Sequence, residues 1–271
     1  MLPDDLKGER ILWTSPMRES VQKILSFRPD EFKNGKSSVT KKKQEDRVLV
    51  TVLASGDPLC YGVATRLLRH LPIDEICIKP ALSTFSLICS RVGWSLPDIE
   101  TLTLHGRPLE MLHPFVQPGA KLAVLSKDSG TPQKTADLLV NRGFGKSEIT
   151  VLEHLDGSKE KKFSGRADSW QHSAGADLNA MAIECIPVRS MDVIPRISGL
   201  PDEAFNHDGQ LTKCEIRAVV LSKLMPIGDQ VLWDVGAGCG SVAIEWMRSH
   251  PRCMAIAIEK SKTRLKMIEQ N

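Results

Sequence analysis

The segment from residue 231 to residue 259 constrains the fold more than any other part of the sequence. An apolar strand over Val231–Trp233 ends at Asp234. An apolar helix from about Ser241 to Ser249 leads to a second apolar strand, Met254–Ile258, which ends in Glu259. Glycines follow the first strand at alternate positions: Gly236, Gly238 and Gly240. Glycines let the backbone pass close to a ligand, and the terminal acid can accept hydrogen bonds from ribose hydroxyls. The segment predicts a βαβ unit that binds a phosphate-containing or nucleoside-containing ligand.

The spacing of the glycines discriminates between the ligands that such a loop holds. The dinucleotide fingerprint is G-x-G-x-x-G, but Ser241 stands at its last position and the glycine comes one residue early, at Gly240. The D-x-G-x-G-x-G form resembles the first motif of S-adenosylmethionine (SAM) methyltransferases with a Rossmann-like fold. The alternatives are a glycine-rich turn in another α/β protein and a nicotinamide dehydrogenase, which Ser241 disfavours.

The composition is that of a globular protein with room for two domains. The chain has 271 residues, 41% of them hydrophobic and 25% charged, and domains commonly contain about 100–200 residues. The net charge of +3 is too small to indicate nucleic acid. No apolar run approaches the roughly 20 residues of a membrane span, and the N-terminus lacks a signal-peptide pattern. We expect a cytoplasmic protein with no nucleic-acid or membrane partner.

Cysteine usage bears on metal binding and on the cellular compartment. Seven cysteines are scattered along the chain without a C-x-x-C pair. This indicates reduced thiols rather than disulfides or a zinc site. We therefore predict no metal.

The first half of the chain predicts alternating strands and helices. The predicted strands are Gly8–Thr14, Val48–Ala54, Ile76–Lys79 and Leu102–Leu104, and the predicted helices are Pro16–Phe27, Val63–His70 and Ser83–Val92. The basic stretch Arg28–Arg47 favours a solvated loop over a nucleic-acid contact, because it has no interleaved aromatic residues. The last three strands each end in a loop with polar or glycine residues. Since ligands bind at the carboxyl ends of strands in open α/β sheets, these loops predict a second site.

The second half continues the alternation with a sheet of mixed strand directions. The predicted strands are Lys121–Leu125, Ile149–Leu152, Lys161–Ser164 and Leu178–Ile183, and Thr131 begins a helix over Pro132–Asn141. Proline and glycine make the segment 187–200 irregular, which is typical of a linker. Thr212 is predicted to cap a helix that ends at Leu224, with Glu215 completing a capping box.

Two sets of residues resemble one family. The segments Leu53–Gly62, Thr103–Leu109 and Val151–Gly157 resemble the tetrapyrrole methylases of cobalamin biosynthesis. The segment Gly199–Ala218, which leads into the glycine loop, resembles the second module of the precorrin-6Y C-5,15-methyltransferases (decarboxylating). The resemblance implies an α/β tetrapyrrole methylase fold of two subdomains, followed by the first part of a Rossmann-like SAM methyltransferase domain. The implied division is 1–190, a linker at 191–200, and 201–271.

The resemblance also implies an activity and two SAM sites. The first module would methylate C-5 of a corrin precursor, precorrin-6B or its cobalt analogue. The second would methylate C-15 and remove the carboxyl group of the C-12 acetate. The residues implied for the first SAM site are Ser55, Gly56, Asp57, Cys60, Ser83, Thr84 and His105. Those implied for the second are Thr212, Gly236, Ala237, Gly238, Cys239, Gly240 and Glu259. A homo-oligomer is compatible with the resemblance, because members of both parent folds commonly self-associate.

The chain departs from the family at both ends. No glycine-rich loop precedes Lys7, and the sequence stops at Asn271, before the further strands of a Rossmann-like sheet. We expect either a partial sequence or a degraded copy.

Methyl transfer from a sulfonium needs positioning more than acid–base groups, so the lack of a catalytic triad fits this chemistry. The catalytic residues are unknown. His105 and Arg107 are candidates, with Arg107 a cationic partner for a polyanionic tetrapyrrole. The alternatives are loop packing for His105, a surface salt bridge for Arg107 and a simple turn role for Asp57. His207 and Asp208 could approach substrate or shape their loop, and Cys239 is expected to fill space.

Other functions remain open at this point. One alternative is a methyltransferase that acts on another small molecule or on RNA, although the weak basic charge disfavours RNA. A second is a catalytically inactive binding protein.

Overall fold

The structure, a computed structural model, describes residues 11–14, 17–27, 50–189 and 193–271. The chain divides into two compact units, Met1–Thr84 and Phe85–Asn271. The basic stretch Arg28–Arg47 lies outside the described residues. None of the helices in the described ranges combines the length and the apolar composition that a membrane span requires.

The elements follow one another along both units. The α-helices are α1 (Met17–Ser26), α2 (Ala64–Leu67), α3 (Thr84–Val92), α4 (Thr131–Asn141), α5 (Cys214–Leu224), α6 (Ser241–Ser249) and α7 (Lys262–Gln270). The strands are β1 (Glu100–Thr103), β2 (Lys121–Leu125), β3 (Glu148–Glu153), β4 (Lys161–Arg166), β5 (Asn179–Glu184), β6 (Val231–Val235) and β7 (Met254–Ile258). Short 3-10 helices lie at Ile73–Glu75, Leu96–Asp98, Leu109–Leu112, Ala167–Ser169 and Asp202–Ala204.

The apolar segments of the first unit do not form the strands that their composition predicts. The described parts of Gly8–Thr14 and Val48–Ala54, and all of Ile76–Lys79, are irregular. Val50 and Leu53 are 38% and 51% exposed. An apolar run becomes a strand only when a neighbouring strand takes up its backbone hydrogen bonds. No described segment of this unit does so, so these strand predictions are wrong for the described residues.

The helix predicted over Val63–His70 is also shorter than expected. It spans only Ala64–Leu67, and a turn follows in which the amide of His70 donates to the carbonyl of Leu67 at 2.9 Å. Pro72 lies just beyond, and the residue before a proline is disfavoured in helical conformation. The chain therefore leaves the helix early.

A five-stranded mixed sheet forms the centre of the second unit, which confirms the predicted mixture of directions. The strand order is β1-β2-β5-β3-β4. Strands β1 and β2 are parallel, and every other neighbouring pair is antiparallel. Leu122, Ala123 and Val124 in β2 are all fully buried. Since successive strand residues point to opposite faces, both faces of the sheet are covered at its centre.

A two-stranded parallel sheet, β6 and β7, follows later in the same unit. Helix α6 connects the strands, and both α6 and β7 have the bounds that the sequence predicts. Val231 pairs with Met254 and Val235 with Ile258. Parallel pairing puts the carboxyl ends of both strands at the same edge, which is where the glycine loop and Glu259 emerge.

The start of α5 differs from its prediction. The helix begins at Cys214 after Lys213, and no side chain caps it. The predicted capping box of Thr212 and Glu215 is wrong. Arg217 donates instead to the carbonyl oxygen of Thr212, so the backbone of Thr212 is bound to a side chain of the next turn.

The described part of the irregular segment 187–200 contacts two hydrophobic clusters of the second unit. Val193 packs against the core of the five-stranded sheet, and Ile194 packs against a small cluster of Leu200, Phe205 and Cys239. The division at 191–200 stays a prediction. The described part of this segment nevertheless contacts the cores before and after it.

Burial of the centre of β2 predicts that truncating a leucine there costs more stability than truncating an exposed one. Leu122→Ala removes a fully buried side chain, and we expect it to lower the free energy of unfolding by about 2–5 kcal/mol. Leu178→Ala, at a position 69% exposed, is the matched control and should change it by less than about 1 kcal/mol. Urea denaturation measures both, and equal losses would contradict this account of the core.

Candidate functional site

The glycine loop lines a cleft of ≈ 370 Å³ at the carboxyl end of β6. One wall is the segment 210–212, a second is formed by the loop and the start of α6, and Arg264 of α7 contributes a third. The cleft therefore lies where the sequence predicts nucleoside binding.

Two of the glycines are required by the geometry of this loop. Gly238 has φ +59° and lines the cleft. Gly240 has φ +82°, and an added Cβ would lie 3.2 Å from Cγ1 of Ile268. Left-handed backbone and close packing both favour a residue without a side chain. The loop can thus turn directly from β6 into α6.

Glu259 meets the glycine loop, as the sequence predicts. Its Oε2 accepts a hydrogen bond from the amide of Gly238 at 2.8 Å, and its Oε1 accepts one from the amide of Ser261 at 2.9 Å. These bonds to the ionised form hold the pKa of the Glu259 carboxyl below its usual range. A carboxylate has about four acceptor positions, so Glu259 can still accept hydroxyl groups of a ligand.

Asp234 is a site residue that the sequence reasoning missed. It lines the cleft, and its Oδ2 is buried without a hydrogen-bond partner among the described residues. Burial raises the pKa of its carboxyl. Its position, directly before the loop at the end of β6, was the signal available in the sequence. A buried acceptor without a partner is suited to a cationic or hydrogen-donating ligand group.

Arg264 brings a positive charge to the same cleft. Its Nε donates to Oδ2 of Asp208 at 2.8 Å, and its Nη2 donates to Oε1 of Gln210. Asp208 also accepts from the amide of Gln210, and His207 accepts from the amide of Gly209. His207 and Asp208 therefore shape their loop in this structure. Arg264, which no motif marked, closes one side of the cleft.

The remaining predicted residues of this site have different positions. Thr212 and Ala237 line the cleft. Gly240 and Cys239 are buried, and the Cys239 side chain, 2% exposed, packs with Leu200 and Phe205. Cys239 thus fills space, as expected, and its carbonyl accepts from Nδ2 of Asn271 at 2.9 Å.

The other predicted site is partly assembled within the first unit. Asp57 accepts hydrogen bonds from the amides of Leu59 and Cys60 at 2.7 and 3.1 Å, and also from the amide of Ala81 at 3.4 Å. Asp57 therefore forms a turn and joins it to the segment that leads to Ser83 and Thr84. Burial, and then the nearby Asp57, raise the pKa of the Cys60 thiol.

Gly56 lies against the same segment. It has φ +67°, and an added Cβ would be 3.7 Å from the carbonyl oxygen of Leu82 and 4.0 Å from Oγ1 of Thr84. The structure brings Gly56 and Asp57 to the chain around Thr84. The neighbouring Ser55 is exposed.

His105 and Arg107 belong to the second unit. They lie on a turn after β1, in which the amide of Arg107 donates to the carbonyl of Leu104 at 3.1 Å. The amide of His105 donates to Oγ1 of Thr103 at 3.2 Å. Both side chains are exposed, and their roles stay predictions.

Comparison with known proteins identifies the family. Residues 9–169 match the model of the tetrapyrrole (corrin/porphyrin) methylases. The chain belongs to this family. Residues 203–271 match a precorrin methyltransferase domain, which includes the cleft at β6. Both resemblances inferred from the sequence are thereby confirmed.

Individual relatives align with nearly all of this chain. It is 39% identical over 266 residues to a precorrin-6Y C(5,15)-methyltransferase [decarboxylating] of Sinorhizobium sp, covering 98% of this chain and 60% of that protein. A protein of the same name from Mycobacterium tuberculosis is 37% identical over 275 residues, covering 100% of this chain and 63% of that protein. The chain thus spans about three fifths of the length of these relatives.

One solved structure matches a shorter segment. It is the C-terminal domain of the precorrin-6Y C5,15-methyltransferase from Rhodobacter capsulatus, with 40% sequence identity and a TM-score of 0.27. The match covers 28% of this chain and 41% of that one.

The second unit also contains a cavity of ≈ 240 Å³ that the sequence reasoning missed. It lies at the end of β3 and the starts of α4 and β5, and Trp170 and His172 form an aromatic wall with ring centroids 4.9 Å apart. The Asn179 side chain is 9% exposed, and its Nδ2 donates to the carbonyl of Ala176 at 2.8 Å. Its Oδ1 is buried and has no partner in the described part of the chain. These residues come from separate segments, so no sequence motif marks them.

A metal site is not evident. No group of three or more His, Cys, Asp or Glu side chains that could hold a metal ion occurs in the described ranges.

The glycine loop gives a prediction with an internal control. Gly240→Ala places a methyl group in left-handed backbone and against Ile268, and we expect it to lower the free energy of unfolding by about 2–4 kcal/mol. Gly209→Ala has the same backbone conflict at φ +91° but nothing within 4 Å, and should lose only about 1 kcal/mol. Chemical denaturation distinguishes the two, and equal losses would show that Ile268 does not restrict this position.

Proposed function

We propose that this chain is a SAM-dependent methyltransferase of cobalamin biosynthesis with two SAM sites. The observation that carries the proposal is the cleft at β6, where the glycine loop, bound to Glu259, meets Asp234, whose Oδ2 has no partner among the described residues. The relatives from Sinorhizobium sp and Mycobacterium tuberculosis, which align with nearly all of this chain, support the choice of substrate. Both are named precorrin-6Y C(5,15)-methyltransferase [decarboxylating].

We assign one reaction to each module, as in the names of these relatives. The module at 1–190 would methylate C-5 of precorrin-6B or its cobalt analogue. The module that begins at 201 would methylate C-15 and release the carboxyl group of the C-12 acetate. The conjugated ring of the substrate can take up the electrons left by decarboxylation. We place this activity in the cytoplasm, with the tetrapyrrole as a small-molecule partner.

The cleft at β6 fits the polar groups of SAM. Glu259 would accept the ribose hydroxyls, and the amide-lined glycine loop would approach the nucleoside closely. Asp234 would accept the ammonium of the methionine part, which supplies the missing partner of its Oδ2. SAM brings an electrophilic methyl group on its sulfonium, so the protein must hold donor and acceptor carbon about 3–3.5 Å apart. The neutral leaving group needs no strong acid.

The predicted site in the first unit would hold the second SAM molecule. Gly56 and Asp57, which lie beside the chain around Thr84, would present backbone groups to a second SAM molecule. Considered by itself, the cavity beside Asn179 in the second unit suits a planar ring with an amine, such as adenine, because Oδ1 has no partner among the described residues and Trp170 offers an aromatic face. The exposed His105 and Arg107 are candidates for contact with the carboxylates of the tetrapyrrole.

Calorimetric titration with SAM tests this proposal. We expect two molecules to bind, and Glu259→Gln to weaken one of them by about 10-fold to 100-fold, because a hydrogen bond to a charged group contributes about 1.5–3 kcal/mol. Asp57→Asn should weaken the other. The exposed Glu269→Gln is the matched control and should change neither.

The outcomes of this titration separate the competing functions. Absence of SAM binding by the unaltered chain would refute the methyltransferase proposal and leave a binding protein. Binding without methyl transfer to precorrin-6B or its cobalt analogue would point to another small molecule.

Two carboxylates, Asp234 in the cleft at β6 and Glu259 bound to its glycine loop, predict a pH dependence of SAM binding. Burial raises the pKa of Asp234, whereas hydrogen bonds from amides lower that of Glu259. A bound ammonium favours ionised Asp234, so SAM affinity should be complete above the raised pKa and decline as the pH falls through it. Asp234→Asn should bind SAM more weakly and show no such decline, while Glu259→Gln retains it. A decline that persists in Asp234→Asn would rule out this role of Asp234.

A further inference from the structure

A fully buried guanidinium lies close to the cleft at β6 without lining it. The Arg217 side chain in α5 is 0% exposed. Its Nε donates to Oε1 of Glu245 at 2.8 Å, and its Nη1 donates to Oδ1 of Asp202 at 2.8 Å. The guanidinium carbon lies 4.9 Å from the ring centroid of Phe205. Arg217 is therefore held on several sides.

The same guanidinium binds the backbone of the preceding segment. Its Nη1 also donates to the carbonyl of Thr212, and its Nη2 donates to the carbonyl of Leu200. Glu245, which is 2% exposed, accepts from the amides of Gly199 at 2.7 Å and Leu200 at 3.0 Å. The ion pair thus connects α5, α6 and the chain between residues 199 and 212.

These contacts join two walls of the cleft. Thr212 belongs to the wall formed by residues 210–212, and its carbonyl is bound to Arg217. Helix α6 begins at Ser241, which lines the opposite wall next to the glycine loop. Glu245 lies one helical turn beyond Ser241 on the same face. The distance from Thr212 to the glycine loop is therefore set through Arg217 and Glu245.

The chemistry of the pair favours a positioning role over a contribution to stability alone. Buried ion pairs are often no more stabilising than apolar residues of similar size. A guanidinium offers five donors on three nitrogens in a rigid fork, whereas the three donors of an ammonium share one nitrogen and cannot reach acceptors that lie far apart. Gly199 adds to the constraint, because an added Cβ would lie 3.0 Å from Cβ of Ala218. The chain at 199–212 is pressed onto α5 in one position.

We propose that Arg217 and Glu245 are positioning residues for the SAM cleft at β6: their buried ion pair fixes the wall at Thr212 relative to the glycine loop. This proposal rests on the proposed function, since it assumes that SAM binds there. Neither side chain touches the ligand. Their loss changes SAM affinity through the spacing of the two walls.

The test compares SAM binding with folding. Arg217→Lys keeps the charge but loses the fork, and we expect the Kd at the Glu259-dependent site to rise at least 10-fold, with a rise in KM for SAM and little change in kcat. Binding at the Asp57-dependent site should stay within twofold. Arg252→Lys, in an exposed pair with Asp229, is the matched control and should change neither.

A second variant keeps the proposal falsifiable if Arg217→Lys does not fold. Arg217→Met with Glu245→Met removes both charges, so no unpaired charge is buried, and the same selective rise in Kd is expected. Unchanged affinity in either folded variant would overturn the proposal, as would failure of both to fold, which assigns the pair to folding alone. Failure of the proposed function would differ, because the unaltered chain would then bind no SAM at this cleft.

Discussion

The parallel pairing of β6 with β7 is the constraint on which the cleft at β6 depends. Its register sets Val235 opposite Ile258, so the next residue of each strand, Gly236 and Glu259, emerges at one edge of the sheet. The glycine loop must then turn away from this edge without side chains in its path. Because the amides of Gly236 and Ala237 both donate to the carbonyl of Ile258, the loop is fastened to the neighbouring strand. The loop and the acid are thus brought together by backbone geometry before any ligand binds.

Local patterns predicted this part of the fold well. Helix α6 and strand β7 have their predicted bounds, because each is a short apolar segment between strong terminators and each finds its partner nearby in sequence. Glu259 was placed correctly for the same reason. Asp234 was available from the same motif, but its importance lies in a missing hydrogen bond, which only the three-dimensional structure reveals.

Predictions that depended on distant partners were less successful. Val48–Ala54 is as apolar as β2, yet its described part remains irregular, since a strand requires a neighbour that composition does not specify. Thr212 had the sequence of a helix cap, but its carbonyl is instead bound to the buried Arg217. The cavity at Asn179 combines residues from separate segments and has no local pattern. In each case the deciding partner lies elsewhere in the chain.

The cleft at β6 therefore brings together two carboxylates whose pKa values shift in opposite directions. Amides stabilise the ionised form of Glu259, whereas Oδ2 of Asp234 has no partner among the described residues and burial raises the pKa of the Asp234 carboxyl. A cleft with one satisfied and one unsatisfied acceptor is unfavourable without a ligand, and a cationic ligand relieves it. The Arg217–Glu245 pair lies directly behind this cleft. Because removal of one partner from a buried ion pair typically costs about 3–5 kcal/mol of stability, neither charge of this pair can be lost alone. The fold therefore leaves one oxygen of Asp234 without a partner at the cleft while the buried charges of Arg217 and Glu245 are paired behind it, and this difference would favour a cationic ligand.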